Sequence, residues 1–202
     1  MSEMPWGQLF GLLFMTMGPI RAIAVFSAVG DSDSAAWVRS LANRSVALVA
    51  AAFALAVLIG NAVLTAWGVS YPALIGAGGV VLLALSLQSL LVPAPAARSF
   101  DPNQTAAAAI AFPGLFPPIA VTVPLIFAVP FPGWETKLGV LAMGLAIVAL
   151  NWILMRRSKA ILRVVGPVPL QLFGAVFGVL QLALALQFIL AALAIAERMG
   201  GA

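Results

Sequence analysis

Six apolar stretches, at residues 6–29, 45–67, 72–92, 106–130, 138–155 and 169–196, divide this chain. Each comes close to the roughly 20 residues a helix needs to cross a bilayer. In lipid, every backbone N–H and C=O has to be satisfied within the structure, so six transmembrane helices are the expected solution. The chain is 63% hydrophobic and 8% charged, too little charge to clothe a soluble domain of 202 residues. The first stretch does not read as a cleavable signal, because its short leader carries Glu3 and no Lys or Arg. Residues 30–44 and 93–105, rich in Ser, Asp, Pro and Ala, read as connectors. Residues 1–202 therefore form a single membrane domain.

The basic residues are unevenly divided. Arg39, Arg44, Arg98, Arg156, Arg157, Lys159 and Arg163 follow the first, third and fifth stretches, whereas Lys137 and Arg198 lie on the other side. Seven against two assigns the first set to the cytoplasm of a bacterial-type plasma (inner) membrane and both termini to the outside. The Arg156-Arg157-Ser158-Lys159 cluster, assigned to a loop, reads as a topological anchor that also meets anionic lipid. Sidedness accounts for the high pI of about 10.8, and no nucleic-acid partner is expected.

The stretches also repeat. Met17-Gly18-Pro19-Ile20 and Phe116-Pro117-Pro118-Ile119 place Pro-Ile 99 residues apart, and the same offset relates Gly79 to Gly178 and Leu87-Gln88 to Leu186-Gln187. Gly68 and Gly166 fall one residue off this register. Residues 1–92 and 106–202 form two halves of three spans, joined by 93–105. Three is odd, so halves of one fold insert in opposite senses, as an inverted repeat. A proline lacks an N–H and crowds the carbonyl four residues back. Pro19 frees the carbonyl of Met15, Pro117 that of Pro113 and Pro118 that of Gly114, while Pro124 and Pro130 further interrupt the fourth span. Freed groups have to face protein or a wet cavity. A kink repaired by neighbouring helices is the plainer reading of each. Matched breaks in the first and fourth spans point instead to a binding site near the midplane.

Polar residues inside the spans are few. Asn61, Gln88, Asn151, Gln171, Gln181 and Gln187 supply amides, and Thr16, Ser86, Ser89 and Thr122 hydroxyls. Interhelical hydrogen bonding is the ordinary role of such groups. Thr16 and Thr122 flank the breaks, and Gln88 and Gln187 are the repeat-matched pair, so these four are candidate ligand contacts. Gly18 and Gly114 permit close approach beside Pro19, Pro117 and Pro118. Arg21 lies about 22 Å along the first helix. It either faces a cavity, where it suits a carboxylate, or snorkels to the cytoplasmic headgroups. No Asp or Glu lies within a span, and the chain has neither His nor Cys. Embedded carboxylate relays, thiol chemistry and His-Glu zinc motifs are thereby excluded, so no enzyme activity, metal or cofactor is expected. Gly7-xxx-Gly11, Gly174-xxx-Gly178 and Gly76-Ala77-Gly78-Gly79 offer slim faces for helix contact, within one subunit or between copies in a homo-oligomer.

Over nearly its whole length the chain resembles the MarC family, which includes the SnatA-type small neutral amino acid transporters. Ala77-Gly78-Gly79-Val80-Val81-Leu82-Leu83-Ala84-Leu85 resembles the family's Ala-Gly-Gly-aliphatic stretch most specifically. Arg44-Ser45-Val46-Ala47 through Gly60, Trp67-Gly68-Val69-Ser70-Tyr71-Pro72-Ala73-Leu74, and Gly174 through Leu190 with Gln187 resemble its other spans. Gly18-Pro19-Ile20-Arg21 matches the first-span Asn-Pro-Ile-Gly at two positions of four, with Gly18 for Asn and Arg21 for Gly. In the Pro-rich fourth span, Pro117 and Ile119 stand where glycines are usual. The resemblance implies a six-helix secondary transporter of small neutral amino acids or related carboxylates. Its partners are then a small-molecule substrate and the bilayer. The alternatives are an amino acid exporter of the lysine-efflux superfamily, or a non-transporting membrane protein with a lipid-interacting or assembly role.

Overall fold

The computed structural model describes residues 4–18, 22–23, 26, 35–91 and 106–200. Its elements are α1 (Trp6–Met17), α2 (Ala35–Ala66), α3 (Tyr71–Leu91), the single turn α4 (Ala106–Ala109) running into a π-helical turn (Ile110–Leu115), α5 (Ile119–Ala128), α6 (Trp134–Val165) and α7 (Pro167–Gly200). Among the described residues all regular structure is helical, as a chain immersed in lipid requires. Four of these helices, α2, α3, α6 and α7, are long and apolar enough to cross a membrane. The apolar α1 and α5 are short, with 12 and 10 residues. At 1.5 Å per residue they reach about 18 and 15 Å, half of a hydrocarbon core of about 30 Å.

Two boundaries differ from the sequence expectation. Residues 35–44 were assigned to a connector, but α2 begins at Ala35 and has 32 residues. Ala35, Ala36, Ala42 and Leu41 favour helix, and burial of Leu41 and Ala42 in the core holds this first part of α2 in place. The Arg156-Arg157-Ser158-Lys159 cluster is not in a loop; it lies within α6, whose last turn carries Arg163 and whose first turn carries Glu135, both favourable to the helix dipole. Gly166 alone separates α6 from α7, and its φ of 76° gives the left-handed reversal that a residue with a β-carbon resists. Residues 93–105, the expected connector, lie outside the described residues.

Helices α2 and α6 run about 48 Å each, well beyond the hydrocarbon core. Their basic ends lie together, because the Trp152 Nε1 of α6 donates to Asn43 Oδ1 of α2 at 2.7 Å. Arg156 stacks over the Trp152 ring at 4.8 Å. Arg39 and Arg44 thus share one end of the molecule with Arg156, Arg157 and Arg163.

Helices of the first half pack mainly on those of the second: α3 along α7, α2 along α6 and α1 on α5. Glycines set the closest approaches. A β-carbon on Gly79 would stand 3.0 Å from the Ala185 carbonyl oxygen and from the Ile189 nitrogen of α7. Phe53 of α2 lies over Gly144 of α6 and meets Phe116 edge-on at 6.5 Å. Leu9, Leu13, Met17, Phe53, Phe116, Ile119, Val123 and Val140 belong to one buried cluster between the halves.

Candidate functional site

The first span breaks where its proline dictates. A residue that precedes proline is pushed from the α to the extended region. Gly18 accordingly ends α1 at φ −74°, ψ 175°. A β-carbon there would fall 1.7 Å from the Phe14 carbonyl oxygen, so the chain turns away in a space only glycine fits. The end of a helix leaves carbonyls without intrahelical donors. Two of them are met by amides of the other half. Gln181 Nε2 of α7 donates to the Met15 carbonyl at 2.7 Å, the group that Pro19 leaves without a donor. Asn151 Nδ2 of α6 donates to the Met17 carbonyl. The orientation of this amide is fixed chemically, because a carbonyl can only accept. Asn151 Oδ1 therefore points elsewhere, and it is buried with no hydrogen-bond partner. The Thr16 hydroxyl, equally buried, donates within its own helix, to Leu12 O at 2.8 Å, with Leu13 O at 3.3 Å.

The fourth span breaks twice. Phe112, ahead of Pro113, is extended at φ −124°, ψ 125°. Phe116 N–H then reaches back five residues to Ala111 O at 2.8 Å, a wide turn that bridges the kink at Phe112. The chain resumes as α5 after Pro117 and Pro118, neither of which has an N–H. Ala120 N–H bonds Pro117 O at 2.8 Å and Val121 N–H bonds Pro118 O at 3.1 Å, so the start of α5 keeps few donors for an anion. Its far end shows the same cross-half repair as α1. Pro130 deprives Ile126 O of its helical donor, and the Tyr71 hydroxyl of α3 supplies one at 3.0 Å. Ser45 Oγ of α2 likewise donates to Ala107 O at 3.1 Å.

The residues singled out in the sequence are distributed as follows. Thr16 and Gly18 are buried at the first break, whereas Pro19 and Arg21 lie outside the described residues. Gly114 is within the π-helical turn; Pro117 is buried and Pro118 exposed. Thr122 is half-buried on α5, its methyl close over Gly78 of α3. Gln88 and Gln187 are exposed on α3 and α7, apart from the buried groups at the first break. Sequence reasoning gave Asn151 and Gln181 the ordinary interhelical role and did not connect them to the break. It also did not connect Tyr71 to Ile126. The missing signal was available for Ile126: Pro130 identifies that carbonyl by the same four-residue rule that identified Met15.

These groups form an acceptor-rich break at the C-terminal end of a half-length helix, in the same buried cluster as the donor-poor start of a second one. The acids of the described chain, Glu135 and Glu197, are exposed. The arrangement presents neutral oxygens at the negative end of a helix dipole, and among the described residues no group of three or more His, Cys, Asp or Glu could hold a metal ion.

Comparison with known proteins agrees with this architecture. Residues 5–196 match the model of the MarC family of integral membrane proteins. The chain is 27% identical over 198 residues to the UPF0056 inner membrane protein MarC of Citrobacter koseri, covering 89% of each chain. No solved structure matches.

Proposed function

The chain belongs to the MarC family of integral membrane proteins, and from that premise we propose that it is a secondary carrier of small solutes. Small neutral amino acids or related carboxylates are the substrates, and the protein is not an enzyme. The observation that carries the reading is the pair of half-length helices, one ending and the other beginning at a proline-directed break inside one shared core. Irregular backbone at membrane depth is tolerated where it is buried in protein or lines a wet cavity, and carriers bind their substrates at such breaks. Met17 is about 16 Å along α1 from Trp6, close to half the hydrocarbon thickness.

On this reading the six spans form two inverted repeats, with broken α1 and the α4–α5 segment as counterparts. The partnering of α1 with α5, α2 with α6 and α3 with α7 supports it, since a two-fold axis in the membrane plane brings each helix to its counterpart. Rocking of one half against the other then exposes the site to alternate sides. Thr16, Gly18 and Thr122 line the substrate path on this reading. The shared basic end of α2 and α6 faces the cytoplasm of the inner membrane, with both termini outside.

The test is ligand-induced thermal stabilisation of purified protein across amino acids, small carboxylates and Na⁺, followed by uptake into proteoliposomes. Stabilisation by a small neutral amino acid, lost in Thr122→Val and Gly18→Ala, is expected. A flat panel from well-folded protein, with no uptake, would replace the carrier by a non-transporting membrane role.

A further inference from the structure

We infer that Asn151 is the residue that recognises a primary ammonium group of the ligand, with its Oδ1 as the acceptor. The inference rests on the carrier reading and deepens it. Four observations converge on this atom. Asn151 is 2% exposed, and its Oδ1 has no hydrogen-bond partner. Buried polar atoms are almost always paired, so an orphaned acceptor calls for a donor from outside the fold. The amide cannot be turned to relieve it, because Nδ2 is engaged by the Met17 carbonyl, which only accepts.

The field at this place also selects the sign of the ligand. Oδ1 stands beside the C-terminal end of α1, where the helix dipole and the terminal carbonyls are negative. The Met15 and Met17 carbonyls each accept one amide donor and retain a second lone pair. A carboxylate is repelled here, and a cationic N–H donor is attracted. Because Glu135 and Glu197 are exposed, neutral oxygens bind the cation, which gives a single amide oxygen a large share of the affinity. The same amide side chain ties the break to α6 and meets the ligand. Occupancy is thereby coupled to the geometry of the break, a useful property in a site that has to open and close.

The experiment measures binding to the purified full chain with four probes: L-alanine, ethylamine, propionate and NaCl. Wild type is expected to bind alanine and ethylamine and to bind propionate far more weakly. Asn151→Leu loses roughly ten- to hundredfold in affinity for alanine and ethylamine, the size of one charge-assisted hydrogen bond. Its weak affinity for propionate does not change. Asn151→Asp, which keeps an oxygen and adds charge, retains ethylamine binding and keeps the test decisive should Asn151→Leu fail to fold. Alanine binding that depends on Thr122 and Gly18 but survives in folded Asn151→Leu, or ethylamine binding that fails in folded Asn151→Asp, overturns the inference and leaves the carrier reading intact. An Asn151-dependent response to NaCl alone makes the site an alkali-cation site and overturns the ammonium assignment. A wild-type protein that binds none of the probes overturns the carrier reading, and this inference with it.

Discussion

Replacing Gln181 by Met tests whether the proline rule explains the cross-half hydrogen bonds. Met is close to Gln in length and lacks the Nε2 that donates to Met15 O at 2.7 Å. An average interhelical hydrogen bond in a membrane protein contributes about 0.6 kcal/mol, because the unfolded chain in the membrane also finds partners. A carbonyl inside a regular helix also keeps its own helical donor; Met15 O does not, since residue 19 is proline. Losing Gln181 leaves a half-buried acceptor without a protein donor, for which the cost of an unmade buried hydrogen bond, about 1–3 kcal/mol, sets the scale. We expect about 2 kcal/mol, a factor of roughly thirty in the folding equilibrium. The assay is reversible unfolding in mixed micelles by denaturing detergent. Thr65→Val is the control, because Thr65 Oγ1 donates to Asn61 O at 2.9 Å inside α2, where the helical N–H of residue 65 is available as well. It should cost no more than about 0.6 kcal/mol. In a Pro19→Ala background, which restores an N–H four residues beyond Met15, the cost of Gln181→Met should fall toward the control. A loss equal to the control, or one indifferent to residue 19, would refute the reasoning.

Three further outcomes follow from the same geometry. Tyr71→Phe removes the donor to Ile126 O, which Pro130 leaves without another, and should destabilise by about 1–3 kcal/mol in the same unfolding assay. Gly144→Ala sets a β-carbon 2.1 Å from buried Phe53 and should cost about 1–3 kcal/mol, whereas Gly174→Ala, with nothing within 4 Å, should be neutral or gain up to about 1 kcal/mol of helix propensity. With no native cysteine, single Cys substitutions report sidedness cleanly in intact cells. A Cys at Arg157 should resist an impermeant thiol reagent added from outside, and a Cys at Glu135 should react with it. The reverse pattern would invert the proposed orientation.

Much of the fold was legible in the sequence because its causes are local. The break after Met17 follows from Pro19, and the extended Gly18 from the steric demand of proline on the preceding residue. The same demand at Pro113 explains Phe112. Both act within four residues, so no tertiary information was needed to expect them. The end of a helix under only polar composition was less legible. Residues 35–44 and 156–165 look like connector and loop because Arg, Ser and Asn suit a helix outside the membrane as well as they suit a turn.

What the sequence by itself determined is that lipid is the solvent, that the chain answers with helices, and that the first and fourth spans break at their prolines. Which donors repair those breaks was decided only by tertiary structure. Asn151 and Gln181 are two of six amides within or at the edges of the apolar spans, and nothing local distinguishes them from Gln88 or Gln187. Their partners lie 134 and 166 residues away. A freed carbonyl is a consequence of covalent geometry, whereas the amide that meets it depends on how α6 and α7 pack beside α1. That packing also left Asn151 Oδ1 buried and unpaired, an acceptor that no pattern along the chain reveals.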